Sequence, residues 1–265
     1  MTEARPAGGT VPNLPGRAPE IGEAARREFG AAFRAGAQHY DAVRPSYPEA
    51  AVDFMLPDGA RDAVDIGAGT GILTELVVAR GLAATAVDPS ADMLGRLRRK
   101  LPGVETVEAT AEATGLAAAA FDVVLCAQAW HWVDPEQAST EAARLLRPSG
   151  ILSLVWNQLD VTVPWVHRLS RIMHAGDVHR PGFRPRIGPE FTEPEPLHIQ
   201  WEQSVVPEDL LGLARSRSYY LRAAETVREK VEANLRWYLL EHLGHHPDEP
   251  LGLPYRTHAW RSVRL

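Results

Sequence analysis

The segment Val64-Asp65-Ile66-Gly67-Ala68-Gly69-Thr70-Gly71 joins an apolar run to a helical one. Glycines at such a junction permit a tight turn and let a ligand approach the backbone closely. Asp88 closes the next apolar run, Ala86-Val87-Asp88. A carboxylate there can accept hydrogen bonds from both hydroxyls of a ribose, or it can cap the turn into the next helix. The dinucleotide fingerprint, counted from Gly67, needs a third glycine at position 72. That position is Ile72, and the third glycine is Gly71. This spacing disfavours a nicotinamide-dependent oxidoreductase, which stays as an alternative.

Further chemistry-bearing residues follow Phe121–Ala127, in Gln128-Ala129-Trp130-His131-Trp132-Val133-Asp134. His131 titrates near neutrality and can serve as a general base for a hydroxyl, thiol or protonated amine. It can equally orient a substrate or pack in a loop. Trp130 and Trp132, two apart in a turn, are expected to face different ways, so that one lines a pocket and the other is core. Arg44, between Tyr40 and Tyr47, can pair with a carboxylate or form a surface ion pair. Arg217, Tyr219 and Tyr220 are weaker candidates for a cover over the site, with core packing the alternative for the tyrosines. His242, His245 and His246 follow a helix without a paired cysteine, at a spacing that suits no metal site, and read as a solvated helix end. No motif for a metal is present.

These residues need elements to hold them. Residues 1–20 read as a flexible tail rich in proline and glycine, followed by a helix over Ile21 to roughly Ala37. Pro45 and Pro48 force an extended link, and a second helix lies between Pro48 and Pro57. Short apolar runs then alternate with helical stretches. The spacing predicts strands over Ala63–Ile66, Ala83–Val87, Val104–Val107, Phe121–Ala127 and Gly150–Trp156. Helices are predicted over Thr70–Arg80, Ala91–Lys100 and Pro135–Leu146, the last two capped by Ser90 and Asp134. This order implies a parallel sheet covered on both faces. Beyond it, Pro164–His174, Pro207–Ala214 and Ala223–Leu243 read as helical, 176–197 as a surface loop, and Leu197–Val206 and Leu253–Val263 as strands. Two late strands around a helical insertion would complete a seven-stranded sheet, with the insertion over the ligand mouth.

The formal charge of the 265-residue chain is −6, which argues against a protein that neutralises nucleic-acid phosphates. No apolar run reaches the roughly 18 residues of a membrane span. Cys126 is the one cysteine, so no disulfide framework is possible within the chain, and a reducing, cytoplasmic setting is expected. On a central strand it reads as a buried small hydrophobe. Nothing here fixes an oligomeric state.

Gly-x-Gly-x-Gly after an acidic residue, with Asp88 beyond the next strand, resembles the class I, Rossmann-like S-adenosylmethionine-dependent methyltransferases. The resemblance covers residues 60–157. A narrower likeness is to a bacterial branch related to trans-aconitate methyltransferases. It rests on Tyr40 with Arg44-Pro45-Ser46-Tyr47-Pro48, on Gln128 to Asp134, and on Leu145-Leu146-Arg147-Pro148-Ser149-Gly150. The resemblance implies an α/β, doubly wound, mostly parallel seven-stranded sheet with helices on both faces and a helical lid. It implies a lid segment over 21–58, a cofactor-binding core over 59–157, and a C-terminal part over 158–265 that completes the sheet and carries the substrate lid.

By the same resemblance, Asp65, Gly67, Ala68, Gly69 and Gly71 would hold the methionine part of S-adenosyl-L-methionine, and Asp88 its ribose. Thr110, Ala111 and Glu112 would border the adenine, although Thr110 stands where many relatives carry an acid. Gln128 and Ala129 would flank the methionine part. Tyr40, Arg44, Tyr47, Trp130, Trp132, Arg217 and Tyr220 would line the acceptor site or its lid. The implied reaction is methyl transfer to a small molecule, O-directed onto a carboxyl or hydroxyl group. A protein that binds the cofactor without turnover is a further alternative.

Overall fold

The computed structural model describes residues 43–175, 179 and 182–265. The tail over 1–20, the helix over Ile21–Ala37 and Tyr40 lie outside the described residues. A helix α1 (Glu49–Met55) leads into a β/α alternation. Its members are β1 (Asp62–Ile66), α2 (Ile72–Val78), β2 (Ala83–Asp88), α3 (Ala91–Lys100), β3 (Glu105–Glu108), β4 (Phe121–Ala127), α4 (Pro135–Leu145) and β5 (Leu146–Leu159). There follow α5 (Pro164–Ile172), β6 (Glu195–Val205), α6 (Pro207–Arg215), α7 (Ser218–Arg222), α8 (Glu225–Arg236) and β7 (Leu251–Val263).

One seven-stranded sheet runs in the order β3-β2-β1-β4-β5-β7-β6. β1 to β5 pair in parallel, while β7 is antiparallel to both β5 and β6. Strand order reverses between β1 and β4, so their carboxyl ends diverge into a crevice. The central strands of the sheet are buried on both faces. On one, α1 and α2 pack Val52, Met55 and Leu73 against Ala63, Val123, Leu125 and Val155. On the other, α4 packs Ala138, Ala142 and Leu145 against Val64, Ile66, Val124 and Cys126. The uninterrupted buried run Val123-Val124-Leu125-Cys126 of β4 is what a doubly covered parallel strand demands.

Side chains start two helices where the sequence indicates. Ser90 Oγ accepts from the Met93 amide (3.4 Å), and Asp134 Oδ1 from those of Glu136 and Gln137 (3.0 and 3.2 Å). Three readings shift. The strand expected over Gly150–Trp156 runs on to Leu159, because Asn157 and Gln158 are buried polar residues that break the apolar pattern without ending the pairing. The helix expected to reach Leu243 leaves α geometry at Arg236 and closes with a π turn over Trp237–His242. The loop expected over 176–197 yields its last residues to β6, and the short helix α7 appears where none is expected.

β6 runs parallel to β5, so Leu159, Val205 and Leu251 all lie at the sheet end where Ile66 and Asp88 lie. The helices α5 to α8 therefore stand at the carboxyl end of the parallel strands. They close their own core, with Leu169, Leu210, Leu213, Val231 and Leu235 around Leu159, Leu253 and Tyr255.

A polar chain threads the sheet at this end. The Trp201 indole donates to Thr257 Oγ1 (2.8 Å), which donates to Asn157 Oδ1 (2.6 Å), whose amide donates to the Ser46 carbonyl (2.9 Å). Thr257 is fully buried. Thr257→Val is expected to leave the indole and Asn157 Oδ1 without partners and to cost about 2 kcal/mol in denaturant unfolding. Thr257→Ser should recover most of that loss.

Candidate functional site

β1 delivers Asp65 and Ile66 to the crevice, and the chain then turns on glycines. Gly67, Gly69 and Gly71 have φ of +71°, +56° and +86°, where side chains are strained. Space is also short at two of them. A Cβ on Gly67 would lie 2.5 Å from the Cβ of Ala129, and one on Gly71 2.8 Å from Leu97. The turn is stitched to β2 by the amides of Gly67 and Ala68, which donate to the Val87 carbonyl (2.8 and 3.1 Å).

Asp88 receives the amides of Gly69 (2.9 Å) and Ser90 (2.8 Å), one on each carboxylate oxygen. It fixes the turn and the start of α3 at once. Each oxygen keeps a further lone pair for a hydroxyl. Burial nevertheless pushes its pKa upward.

Asp65 is almost wholly buried. Its Oδ2 accepts from the Thr74 hydroxyl (2.7 Å), while Oδ1 has no partner among the described residues. Desolvation, countered in part by the Thr74 bonds and reinforced by the charge of Asp88, lifts its pKa to about 7. A buried acceptor without a donor is costly. An ammonium group would supply both the donor and the opposite charge. The glycine cradle and the orphaned oxygen thus fit the amino-acid end of S-adenosylmethionine.

On the neighbouring loop Thr110 is exposed and Ala111 buried. Glu112 is committed elsewhere, accepting the Asp134 amide (2.9 Å) through Oε1. At the end of β4, Gln128 holds φ of +57°, a strained value for a side-chain-bearing residue. Its amide donates to the Val155 carbonyl (2.9 Å) and its side chain to the Asn157 carbonyl (2.8 Å), locking β4 to β5.

A small cavity of about 30 Å³ opens beside Gln128, walled by Arg44, Asn157, Gln158, Arg217 and Tyr255. Arg44 donates to the Ser216 carbonyl (2.9 Å), tying the N-terminal segment to the helical insertion. The Tyr255 hydroxyl is buried without a partner among the described residues. Its pKa is pushed up to about 12 by desolvation, against the opposing pull of Arg217 and Arg44.

The structure therefore brings Asp65, the glycines, Asp88, Gln128, Ala129, Arg44 and Arg217 to one end of the sheet. Other expected residues stand apart from the cavity. Trp130 is core, its indole donating to the Arg186 carbonyl (2.9 Å), and Trp132 is half-buried beside the His131 ring. His131 is exposed, and its Nδ1 accepts from the Trp156 indole (3.3 Å). Tyr47 packs in the core under α1. Tyr220 hydrogen-bonds Glu232 through its hydroxyl. Cys126 is fully buried. His242 stacks on Trp237, and the described residues contain no cluster of three or more potential metal ligands. Asn157, Gln158 and Tyr255 escape a reading by sequence. The one clue is a polar pair ending an apolar strand.

Asp65 makes stability pH-dependent. Its pKa is higher folded than its ordinary value near 3.8. Its contribution is fully present below that value and is lost as pH rises through about 7. In the ligand-free protein, the stability difference between wild type and Asp65→Asn is expected to shift against wild type over that interval. Parallel urea titrations from pH 4 to pH 8 check it, and a constant difference would refute the assignment.

Comparison with known proteins places the chain. Residues 64–154 match the family model described as a methyltransferase domain. An uncharacterised methyltransferase of Mycobacterium tuberculosis is 41% identical over 239 residues, spanning 90% of this chain and 98% of that one. A trans-aconitate 2-methyltransferase of Rhodopseudomonas palustris is 31% identical over 141 residues, 47% of this chain and 55% of that one. Among solved structures, a putative type II methyltransferase from Anaeromyxobacter dehalogenans superposes with a TM-score of 0.59 at 27% identity, over 82% of this chain and 97% of that one. The near full-length relative, the seven-stranded topology and the glycine turn agree, and the chain belongs to the class I S-adenosylmethionine-dependent methyltransferases.

Proposed function

We propose that the protein methylates a carboxylate oxygen of a small acceptor seated beside Gln128, between Arg44, Arg217 and Tyr255. The observation that carries this reading is the buried, partnerless Tyr255 hydroxyl in a cavity with two guanidinium groups. Two cations and a hydroxyl donor suit a carboxylate. Among the described lining residues there is no histidine, aspartate or glutamate to act as a base. A carboxylate nucleophile needs none, whereas a hydroxyl acceptor would. The partial relative named for trans-aconitate agrees with a carboxylate acceptor.

When bound, S-adenosylmethionine supplies a methyl group on a sulfonium, whose departure leaves a neutral thioether. Asp65 and the glycine turn would hold its amino-acid end, Asp88 its ribose, and Thr110 and Ala111 would border its adenine. A carboxylate acceptor would need no proton removed by the chain. The protein's part is alignment and dryness. Arg44 and Arg217 would neutralise and orient the acceptor, and Tyr255 would donate to the oxygen that does not react. A cavity of about 30 Å³ admits about one water, so an acceptor must displace the helical wall that acts as its lid. The formal charge of −6 disfavours an acceptor bound through nucleic-acid phosphates.

Thermal unfolding with S-adenosylmethionine, S-adenosylhomocysteine, NAD and NADP tests the cofactor. The first two are expected to stabilise by about 2.7 kcal/mol at a hundredfold excess over Kd. The nicotinamides should not, and Asp88→Ala should abolish the shift. Stabilisation by a nicotinamide alone would overturn the reading. Stabilisation without S-adenosylhomocysteine production from any carboxylic acid would instead favour a binding protein. Tyr255→Phe separates acceptor binding from folding. Losing a hydroxyl that bonds nothing should leave the melting temperature unchanged or higher, while KM for a carboxylate acceptor rises about tenfold.

A further inference from the structure

A second, larger cavity of about 700 Å³ lies between α5 and α8, on the helical insertion. Its walls carry Arg168, Arg171 and Lys230, with His167, His174 and Tyr219. Among the described residues no acidic side chain lines it. Among the described residues none of these three cations forms an ion pair, whereas Arg215 on the neighbouring α6 pairs with both Glu208 and Glu232. In a chain with 34 acidic and 28 basic residues, an unpaired basic cluster on one cavity is a distinctive grouping. Complementing the end of α5 can account for Arg171. It does not account for Lys230, in the body of α8, or for Arg168.

The wall is also arranged. Arg168 lies 5.9 Å from the Trp237 ring and 5.3 Å from that of Tyr238, which limits its freedom. His174, at φ of +50°, stacks on Tyr219 with centroids 3.9 Å apart. Tyr219 and Trp237 are among the few large hydrophobic side chains exposed to solvent. The position matters as much as the charge. His174 lines this outer cavity and Ala175 the inner one, and Tyr219 lines the outer while Arg217 lines the inner. Two short stretches of chain are therefore shared walls of both spaces.

We propose that the outer cavity binds a small polyanion, namely a phosphate- or carboxylate-bearing end of the acceptor whose other end is methylated beside Gln128. Naming the occupant as acceptor rests on the methyl-transfer reading, but the anion site does not. Its volume suits a small molecule. Arg168 and Arg171 present planar forks to paired oxygens, and Lys230 supplies a mobile point charge. The His174–Tyr219 stack is the partition past which such a molecule reaches the inner cavity.

The test is calorimetry on the full chain with S-adenosylhomocysteine present, titrating pyrophosphate and citrate at constant ionic strength. Wild type is compared with the double variant Arg171→Gln, Lys230→Gln. The expected result is at least a tenfold loss of affinity for one of the anions in the variant, with S-adenosylhomocysteine affinity unchanged. Preference between the two distinguishes a phosphate from a carboxylate end. Equal anion affinity in both proteins, or none in either, overturns the site. A hexaglutamate peptide that binds this cavity more tightly than both small anions overturns the small-molecule occupant in favour of an acidic protein. Turnover with paired mono- and dicarboxylic acids then assigns the occupant. The variant should raise KM for the dicarboxylic members alone, with kcat retained, and an equal effect on both members overturns the acceptor assignment. Anion binding that the variant loses, in a protein that binds no S-adenosylhomocysteine, would mark failure of the methyl-transfer reading rather than of the anion site.

Discussion

The approach of Gly67 to Ala129 sets the distance at which β1 and β4 part. Nothing larger than hydrogen fits between them, and φ of +71° at position 67 is comfortable only without a side chain. The turn can then lie on the Val87 carbonyl, Asp88 can reach the amides of Gly69 and Ser90, and α3 can start where it does. The crevice is thus a consequence of packing two backbones closely at the point where the strand order reverses. Asp65 bears the cost of that closeness. It is held beneath the turn with one oxygen satisfied by Thr74 and the other by no group among the described residues.

The second half of the site depends on a different device. Asn157 sits where β5 would ordinarily end, and its side chain joins Ser46, before the sheet, to Thr257, on the last strand. Gln128 braces the same place from β4 at the expense of a left-handed backbone. Segments far apart in sequence are thereby fixed around one small space. Arg44, bonded to Ser216, arrives there from one side and Tyr255 from the other.

Much of the first half was legible in the sequence. Ala91–Lys100 and Phe121–Ala127 agree at both ends, because a capping serine, a basic last turn and an uninterrupted apolar run are local signals. The glycine turn and Asp88 are legible for the same reason. The half around Gln128 was legible only through Arg44 and Arg217. Asn157 and Tyr255 join them through the pairing of β5 with β7, which no window of sequence reports. Of the two tryptophans, one of which the turn was expected to send into the core, Trp130 is the one packed there, its indole donating to a carbonyl on a distant loop. Polar residues that pair inside a sheet, such as Asn157, break the alternation on which strand boundaries are read.

The antiparallel β7 has a consequence for how such a protein diversifies. Helices α6 to α8 leave the sheet from β6 and return to it on β7, its immediate neighbour. The ends of that excursion are held side by side by paired backbones, so lengthening or rebuilding it adds little closure entropy. The glycine turn lies on the other side of β5 and β4, in strands that the excursion never interrupts. Inheritance can therefore treat the two halves as separate traits. Mutation is free to redraw the chemistry admitted from the outside while the donor side stays under unchanged selection.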